Sequence, residues 1–264
     1  MIEKMDVKKY TEADLMDCLS AMGLNGSETF MVHSSMKSIG QVDGGADTVL
    51  DALSKFFSSG LLVLPAFTYA SVNAHKNPYF YSADTPTCTG ILTELFRQRP
   101  GVKRSLHPNH SLAALGRDAA EFCAGHEKSK SSFSKVSPFW KLVERKGKVL
   151  LIGVNLNRAT IIHAIQEWAD LPILSKEPQI FTVTDVDGTA YEVRNHYHLG
   201  CQWEFFPRAL PILLEKNAVK QVKFGDADSL LMDIEQTTEI LDAILRKDPH
   251  FFYNSECPEA IQMP

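Results

Sequence analysis

Two histidines flank a proline and an asparagine in the segment RSLHPNHSLAALG, residues 104–116. Proline disfavours helical backbone in the residue before it, so His107 is held extended and the direction of its side chain is restricted. The apolar run at 111–116 predicts a strand that follows this kink. An imidazole in this position, His107 or His110, is a candidate for proton transfer, although a hydrogen bond to a loop carbonyl explains a single histidine equally well.

A third candidate, His163, lies in the middle of a helix predicted over 159–170. Thr160 and Gln166 are three residues away and Glu167 is four, so all three border the same helix face. General-base catalysis near pH 7 needs a neutral imidazole that a neighbouring oxygen holds in place. His163 is therefore a candidate general base, with a purely structural helix histidine as the alternative.

A polar loop, VHSSMKSIGQVDGG, precedes the helix that Asp47 is expected to cap. It carries three hydroxyls, those of Ser34, Ser35 and Ser38, together with a lysine and three glycines. Backbone amides, hydroxyls and the helix dipole can hold a pyrophosphate in such a loop. The loop matches neither GxGxxG nor a Walker A motif, so no nucleotide fold is implied, and an ordinary polar loop is the alternative.

Metal binding is suggested by His196 and His198, because alternate residues of a strand point to one face and could reach one ion. No Asp or Cys at a suitable spacing completes a ligand set. The five cysteines include no CxxC and match no zinc pattern, which indicates free thiols in a reducing compartment. We therefore expect no metal site.

The elements that must position these side chains alternate between strand-like and helix-like segments. Strands are predicted at 29–33, 61–65, 111–116 and 148–154, helices at 48–57, 89–98 and 159–170, and a hairpin at 181–198 that turns at Asp187–Gly188. A helix around 203–216, a strand near KQVKFG and a final helix EQTTEILDAILRK follow. The expected fold class is α/β (mixed α+β), with one domain over 1–264 and a mixed, partly parallel sheet flanked by helices.

The bulk composition restricts the partners. The chain has 264 residues, 44% of them hydrophobic and 22% charged, as is ordinary for a globular enzyme. A formal net charge of −5 argues against nucleic acid, whose binding needs clustered Lys and Arg. The polar start of the chain is unlike a signal peptide, and no apolar run is long enough to span a bilayer. We expect a cytoplasmic protein without a membrane partner.

Taken in order, these motifs resemble the aminoglycoside 3-N-acetyltransferases, which are unrelated to the GNAT acetyltransferases. The matching stretches are VHSSMKSIGQVDGGADTVLDAL, LLVLPAFTY, DTPTCTGILTELFRQRPGVKRSLHPNHSLAALG, SPFWKL, GKVLLIGV and TIIHAIQEWADLP. The resemblance implies a mixed α/β fold and acetyl transfer from acetyl-coenzyme A to an amine, in the named enzymes the 3-amino group of 2-deoxystreptamine. It covers residues from about 29 to 172 and is weak in the last third.

The resemblance also implies site residues. Coenzyme A would be held by the serine-rich loop, with Arg104 and Ser105 nearby to meet phosphate or pantetheine amides. The loop residues concerned are His33, Ser34, Ser35, Met36, Lys37, Ser38 and Gly40. His163 would accept a proton so that the neutral amine attacks the thioester directly. His107 would orient the acceptor or assist the leaving thiolate, and His110 and Ser111 would border the acceptor.

Two departures from the family pattern concern charge. Family members carry His-x-x-Glu on the helix, whereas this chain has Gln166 there and Glu167 one step later, about 100° further round the axis. The resistance enzymes carry acidic residues where this chain has NHYHLGCQWEFF, with His196 and Glu204 among the counterparts. The candidate contacts for a cationic acceptor are Asp84, Glu167, Asp170 and Glu204.

Four interpretations follow. The first is an aminoglycoside acetyltransferase, and the second is an enzyme of the same fold that acts on another amine or amino sugar. The third is a zinc-dependent hydrolase that uses His107, His110, His196 and His198. The fourth is a coenzyme A binder without turnover, which the missing helix glutamate suggests. The expected partners are coenzyme A and a small amine, with a homodimer as a further expectation.

Overall fold

The apolar runs predicted as strands form the centre of a seven-stranded sheet in the computed structural model, which describes residues 8–199 and 202–253. The strands are β1 Lys9–Tyr10, β2 Thr29–Ser34, β3 Gln41–Val42, β4 Leu61–Pro65, β5 Tyr79–Tyr81, β6 Lys103–Arg104, β7 Leu112–Gly116, β8 Lys148–Ile152, β9 Gln179–Thr184, β10 Ala190–Asn195, β11 Val219–Phe224 and β12 Ala227–Asp233. The order in the large sheet is β11-β12-β8-β2-β4-β7-β6. β2 runs parallel to β4 and β8, and the outer pairs are antiparallel.

Helices cover both faces of this sheet. They are α1 Glu12–Ala21, α2 Gly45–Phe56, α3 Ile91–Arg97, α4 Ala119–Cys123, α5 Pro138–Glu144, α6 Ile161–Trp168, α7 Leu210–Glu215 and α8 Ile234–Lys247. Successive residues of a strand face opposite sides, so Phe30 and Val32 pack under α1, α2 and α3 while Met31 packs under α4 to α8. The expected mixed α/β fold is confirmed. A single domain over 1–264 stays a prediction, because that range includes residues outside the described ones.

The predicted hairpin is also confirmed. β9 and β10 pair antiparallel from Gln179 with Asn195 to Thr184 with Ala190, and Gly188 in the turn has a φ of 86°. β5 adds a parallel strand to this small sheet, which carries its own apolar cluster around Phe80 and Phe181. The hairpin therefore stands beside the large sheet and brings the end of β10 towards the His-Pro segment.

Two elements differ from the sequence prediction. The helix that Asp47 was expected to cap begins at Gly45, three residues earlier than predicted, because Gly44 adopts the left-handed backbone (φ 79°) that precedes the first turn. The predicted helix 203–216 is a 3-10 helix, Gln202–Ala209, followed by the short α7. Pro207 lies inside the 3-10 stretch and has no amide hydrogen to donate, which disfavours a continuous α-helix there.

The parallel strands determine where a site can form. β2, β4 and β8 point the same way, so their carboxyl ends lie at one edge of the sheet. The loops after these strands, 35–44, 66–78 and 153–160, meet there, as is usual for ligand sites of open α/β sheets. No helix in the described part of the chain is both long enough and apolar enough to cross a bilayer.

Candidate functional site

Three adjoining cavities open at this edge of the sheet. The central cavity, about 630 Å³, lies between the ends of β2 and β4 and is lined by His33, Ser34, Phe67, Arg158, His163 and Trp203, among others. The histidine cavity, about 280 Å³, is lined by His110, Phe133, His163, Asn195, Tyr197 and His198, among others. The outer cavity, about 710 Å³, is lined by Ser38, Gly153, Arg158, Leu210, Asp226 and Ser229, among others. Shared residues join the central cavity to each of the other two.

His163 stands where the central cavity meets the histidine cavity. Its ring lies 4.7 Å from the Phe206 ring and 5.3 Å from the His198 ring, centroid to centroid, and stacks on Phe133 at 6.2 Å. Burial first, and then the nearby rings of His198 and His110, holds its pKa well below 6.5, while Gln166 acts in the opposite sense. The imidazole is therefore neutral at pH 7 and has a lone pair available as a proton acceptor.

His107 lies behind the cavities, fully buried. Its Nδ1 accepts hydrogen bonds from the backbone amides of Asn109 and His110, at 3.2 and 3.0 Å. Nε2 consequently carries the proton and donates to Asn195 Oδ1 at 3.2 Å. His107 is not among the described residues that line the three cavities. It folds the His-Pro segment and ties it to the end of β10, which makes it a positioning residue for His110 and Asn195.

His110 is the histidine of this segment that reaches the central and histidine cavities, and its Nδ1 pairs with Ser132 Oγ at 2.9 Å. Ser105 is buried, accepts from the Leu112 amide and pairs with His126 Nδ1 at 2.8 Å. Ser111 is buried as well and donates to the Ala66 carbonyl at 2.6 Å. Neither serine lines a described cavity, because both hydroxyls are used inside the fold.

Buried neutral histidines make the stability of the fold dependent on pH. Burial lowers the pKa of His33 to about 4 and that of His126 to about 3, and it holds those of His107, His110 and His163 well below 6.5. The unfolded chain binds these protons below about pH 6.5, whereas the folded protein does not. Stability is therefore fully present above that pH and is lost as the pH falls towards 4, by about 1.4 kcal/mol per pH unit for each neutral ring.

Urea unfolding from pH 8 to pH 4.5 tests this prediction. We expect a constant free energy of unfolding down to about pH 6.5 and a steep fall below it. The exposed His250 provides the matched control, because its replacement by Asn should leave the steepness of that fall unchanged. A free energy of unfolding that stays level between pH 7.5 and pH 5 would contradict the prediction.

Arg104 is a structural cation in this fold. Its Nε donates to Ser111 Oγ at 3.1 Å, and its two terminal nitrogens donate to the carbonyls of Ala66, Ser82 and Thr85 at 2.8, 3.2 and 2.6 Å. The guanidinium also stands 4.7 Å from the centre of the Phe80 ring. Burial lowers its pKa to about 9, so it is charged at neutral pH. It lines none of the three cavities, since its donors are already used to hold the 66–85 segment.

The serine-rich loop contributes three of its predicted ligands to the cavities. His33 and Ser34 line the central cavity and Ser38 lines the outer one. His33 is 6% exposed, and its Nε2 is buried without a hydrogen-bond partner among the described residues. Ser35 holds Ser38, with 3.0 Å between the hydroxyl oxygens. Among the others, Met36 packs on the core, Lys37 is exposed, and Gly40 (φ 91°) leaves room for Asp226, whose carboxylate a Cβ would meet at 2.2 Å.

The predicted acidic contacts are not brought together. Glu167 lies behind His198, and its two oxygens accept from Ser131 Oγ and from His198 Nε2, the latter at 3.2 Å. Asp84, Asp170 and Glu204 are exposed and line none of the described cavities. Among the described residues, no carboxylate lines the histidine cavity, whose polar groups are imidazoles, amides and hydroxyls.

The two histidines of the HxH pair, His196 and His198, bond to different partners. His196 Nδ1 pairs with the Ser175 carbonyl at 2.7 Å, while His198 pairs with Glu167 and lines the histidine cavity. Within residues 8–199 and 202–253, no three His, Cys, Asp or Glu side chains form a group able to hold a metal ion. The four histidines of the zinc interpretation do not converge, because two of them are bonded inside the fold.

The structure adds cavity residues that the sequence analysis did not single out. Tyr69 and Cys88 line the central cavity and lie on the long segment between β4 and α3, which has no periodic pattern to mark it. Arg158 lines both the central and the outer cavity, and its guanidinium stands 5.8 Å from the centre of the Trp203 ring. The position of Arg158 between β8 and α6 was its only available signal, because loops after parallel strands carry ligand contacts.

Comparison with known proteins gives consistent results. The family model described as aminoglycoside 3-N-acetyltransferase matches residues 31–246. Aminoglycoside N(3)-acetyltransferase III from Salmonella is 32% identical over 182 residues, which are 62% of this chain and 62% of that enzyme. The SPbeta prophage-derived aminoglycoside N(3')-acetyltransferase-like protein YokD of Bacillus subtilis is 32% identical over 58% of this chain and 63% of its own. The matches thus span less than two thirds of these relatives' length.

Solved structures are similar over nearly the whole chain. A mutant of aminoglycoside acetyltransferase AAC(3)-IVa, in complex with gentamicin, is 26% identical with a TM-score of 0.84 and covers 97% of both chains. AAC-IIIb, solved as a binary complex with CoASH, is 26% identical with a TM-score of 0.79, over 91% of this chain and 97% of its own. The fold is therefore shared over nearly the whole chain, including most of the last third, where the sequence resemblance is weak.

Proposed function

Because this chain belongs to the aminoglycoside 3-N-acetyltransferase family, we propose that it transfers an acetyl group from acetyl-coenzyme A to an aminoglycoside amine. The acceptor group would be the 3-amino group of a 2-deoxystreptamine ring. The resemblance noted in the sequence is confirmed. The observation that carries the proposal is the placement of His163, a neutral imidazole at the junction of two cavities of different character.

The residues around the central cavity fit acetyl-coenzyme A. The buried Nε2 of His33 has no partner in the described protein and can bond to a group inside this cavity. Ser34 lines the same cavity, and the outer cavity extends the space past Ser38 and Gly153. A Cβ on Gly153 would stand 2.2 Å from the Ser38 Cβ, so glycine is needed to keep these two loops together. The CoASH complex of AAC-IIIb supports coenzyme A as the ligand.

The chemistry then follows from the residues at the junction. When bound, acetyl-coenzyme A supplies a thioester carbonyl that an amine can attack. His163 accepts a proton from the acceptor nitrogen, and a neutral lone pair is what that step requires. Ser34, which lines the central cavity, is the hydroxyl donor that stabilises negative charge on the carbonyl oxygen, because the Ser35 amide already donates to the Ile152 carbonyl at 2.8 Å. Cys88 lines the central cavity, but no histidine among the described residues hydrogen-bonds to its thiol, so direct attack is the favoured route.

A second acceptor class is favoured by the absence of a carboxylate along the described walls of the histidine cavity. A polycationic antibiotic gains most from carboxylate contacts, whereas an amino sugar with one amine gains from amides and hydroxyls. The two classes are separated by measuring thiol release with gentamicin, kanamycin and tobramycin against glucosamine and simple amines. Turnover with the antibiotics supports the proposal, and turnover with glucosamine alone supports the second class. Coenzyme A binding without thiol release on any amine would refute acetyl transfer.

Arg158 should carry part of the affinity for coenzyme A. It is the one cationic side chain among the described residues that line the central and outer cavities, and it is exposed there. A charge-assisted hydrogen bond contributes about 1.5 kcal/mol, so Arg158→Ala should weaken coenzyme A binding roughly tenfold, measured by calorimetry. Arg117→Ala, at an exposed arginine of the β7–α4 turn, is the matched control. Equal affinity for both variants would contradict this role.

Two further expectations remain proposals. Use of acetyl-coenzyme A is consistent with a cytoplasmic location. A homodimer is expected as well, and sedimentation of the purified protein measures it directly.

A further inference from the structure

His198 lies across the histidine cavity from α6. Its position makes it a candidate for a second proton acceptor. Its ring is T-shaped to that of His163, with 5.3 Å between centroids, and lies 5.0 Å from the Phe133 ring. Both imidazoles line the histidine cavity, but of the two only His163 also lines the central cavity. An acceptor bound in the histidine cavity therefore meets two imidazoles, and the central cavity meets one of them.

The Glu167 carboxylate of α6 hydrogen-bonds to His198 in this chain. Glu167 Oε2 lies 3.2 Å from His198 Nε2, and Oε1 accepts from Ser131 Oγ. The side chains of Glu167 and His198 are each 13% exposed, so the pair is largely withdrawn from water. The bond to Glu167 places the ring proton on Nε2, and Nδ1 is buried without a partner among the described residues. The arrangement leaves one lone pair on the ring at Nδ1 and a carboxylate beside the opposite nitrogen.

Acetyl transfer to an ammonium releases two protons from nitrogen. The ammonium loses the first to become a nucleophile. After its lone pair forms the bond to the acetyl carbon and the carbon–sulfur bond breaks, nitrogen loses the second. The leaving thiolate takes up one proton, and the other goes to solvent. One imidazole can hold only one of these protons at a time, and the burial of His163 makes it a weak acceptor for the first.

We propose that His198 is a second catalytic residue, which takes the first proton from the incoming ammonium, with Glu167 and Ser131 as its positioning residues. The inference rests on the proposed function. His163, which borders both cavities, then takes the second proton and passes it to the thiolate. The glutamate one step along the helix from its usual family position thus supports a different imidazole, across the cavity.

The pH dependence of kcat/KM in two variants tests whether His198 takes the first proton and His163 the second. With the panel amine that gives the fastest thiol release, His198→Asn and Glu167→Gln should lower kcat/KM on the order of 100-fold at pH 7. Alkaline pH supplies the amine already neutral, so both losses should shrink below about tenfold at pH 9.5. The loss in His163→Ala should persist at pH 9.5, because the second proton must still be removed. His250→Asn, at an exposed histidine, is the control.

A loss at His198→Asn that is the same at pH 7 and pH 9.5, or no loss at all, overturns the proposal. Histidine-selective ¹⁵N NMR of the wild-type protein provides a readout that needs no turnover. We expect His198 protonated at Nε2 with a bare Nδ1 at pH 8, and an Nε2 signal that moves in Glu167→Gln. An Nδ1–H tautomer, or a signal that does not respond to Glu167→Gln, also overturns it. Absence of thiol release with every amine refutes the proposed function instead. The NMR result then tests on its own whether Glu167 holds the His198 ring with its proton on Nε2.

Discussion

Replacement of His163 by Ala should remove most of the turnover, with a fall in kcat on the order of 10²- to 10⁴-fold, and leave coenzyme A binding unchanged. His163 lies on α6 between the rings of Phe133 and Phe206. Both rings belong to the large apolar cluster, so their positions do not depend on the His163 side chain. Its loss leaves a space about the size of an imidazole at the junction of the two cavities. The contacts expected for coenzyme A, at His33, Ser34 and Arg158, are not altered by that change.

Thiol release and coenzyme A calorimetry on the same preparation separate chemistry from binding. Added imidazole should restore part of the activity of His163→Ala, because the vacated space can admit a free ring. His250→Ala, at an exposed histidine of the C-terminal end, controls for the loss of a histidine as such. Near-normal turnover in His163→Ala would rule out His163 as the group that accepts the proton.

The core strands could be predicted from sequence because they are buried on both faces. β2, β4 and β8 are continuous apolar runs, and such runs indicate parallel strands between two helix layers. α1 was missed although Thr11 and Asp14 form a capping box, a signal that stands in the sequence. β12 was missed because the stretch ADSLLMD lacks a regular alternation, and because its pairing with β8 joins residues far apart in the sequence, although its pairing with β11 is a local hairpin.

Residues of the site could be predicted only where a local sequence pattern marks them. His163 stands out because it is a polar ring on an apolar helix segment, whose neighbours Ile162 and Ile165 are buried. The pairing of Glu167 with His198 joins residues 31 positions apart, and no spacing rule links them. His107 and His110 look alike in sequence, yet one faces backbone amides and the other faces the cavities, a difference that depends on how the loop closes.

Removal of the Arg104 guanidinium should be among the most destabilising changes in the chain. Arg104→Met keeps much of the side-chain length but leaves the Ser82 and Thr85 carbonyls without their donor, and the Ala66 carbonyl with Ser111 Oγ alone. Each hydrogen bond to a charged group contributes about 1.5–3 kcal/mol, so loss of the bonds to Ser82 and Thr85 should cost roughly 3 kcal/mol or more, measured by urea unfolding. Arg117→Met, at an arginine whose side chain is 63% exposed, should change stability by less than about 0.5 kcal/mol.

Arg104→Lys decides whether charge or geometry matters more at this position. A lysine retains the cation, but its single ammonium cannot reach acceptors that are arranged around a planar guanidinium. We therefore expect Arg104→Lys to lose more than half of the stability lost in Arg104→Met. The 66–85 segment that Arg104 holds also carries Phe67 and Tyr69 of the central cavity, so thiol release should fall with stability in both variants. Full stability in Arg104→Met, with weakened coenzyme A binding, would instead return Arg104 to the ligand-binding role that the sequence suggested.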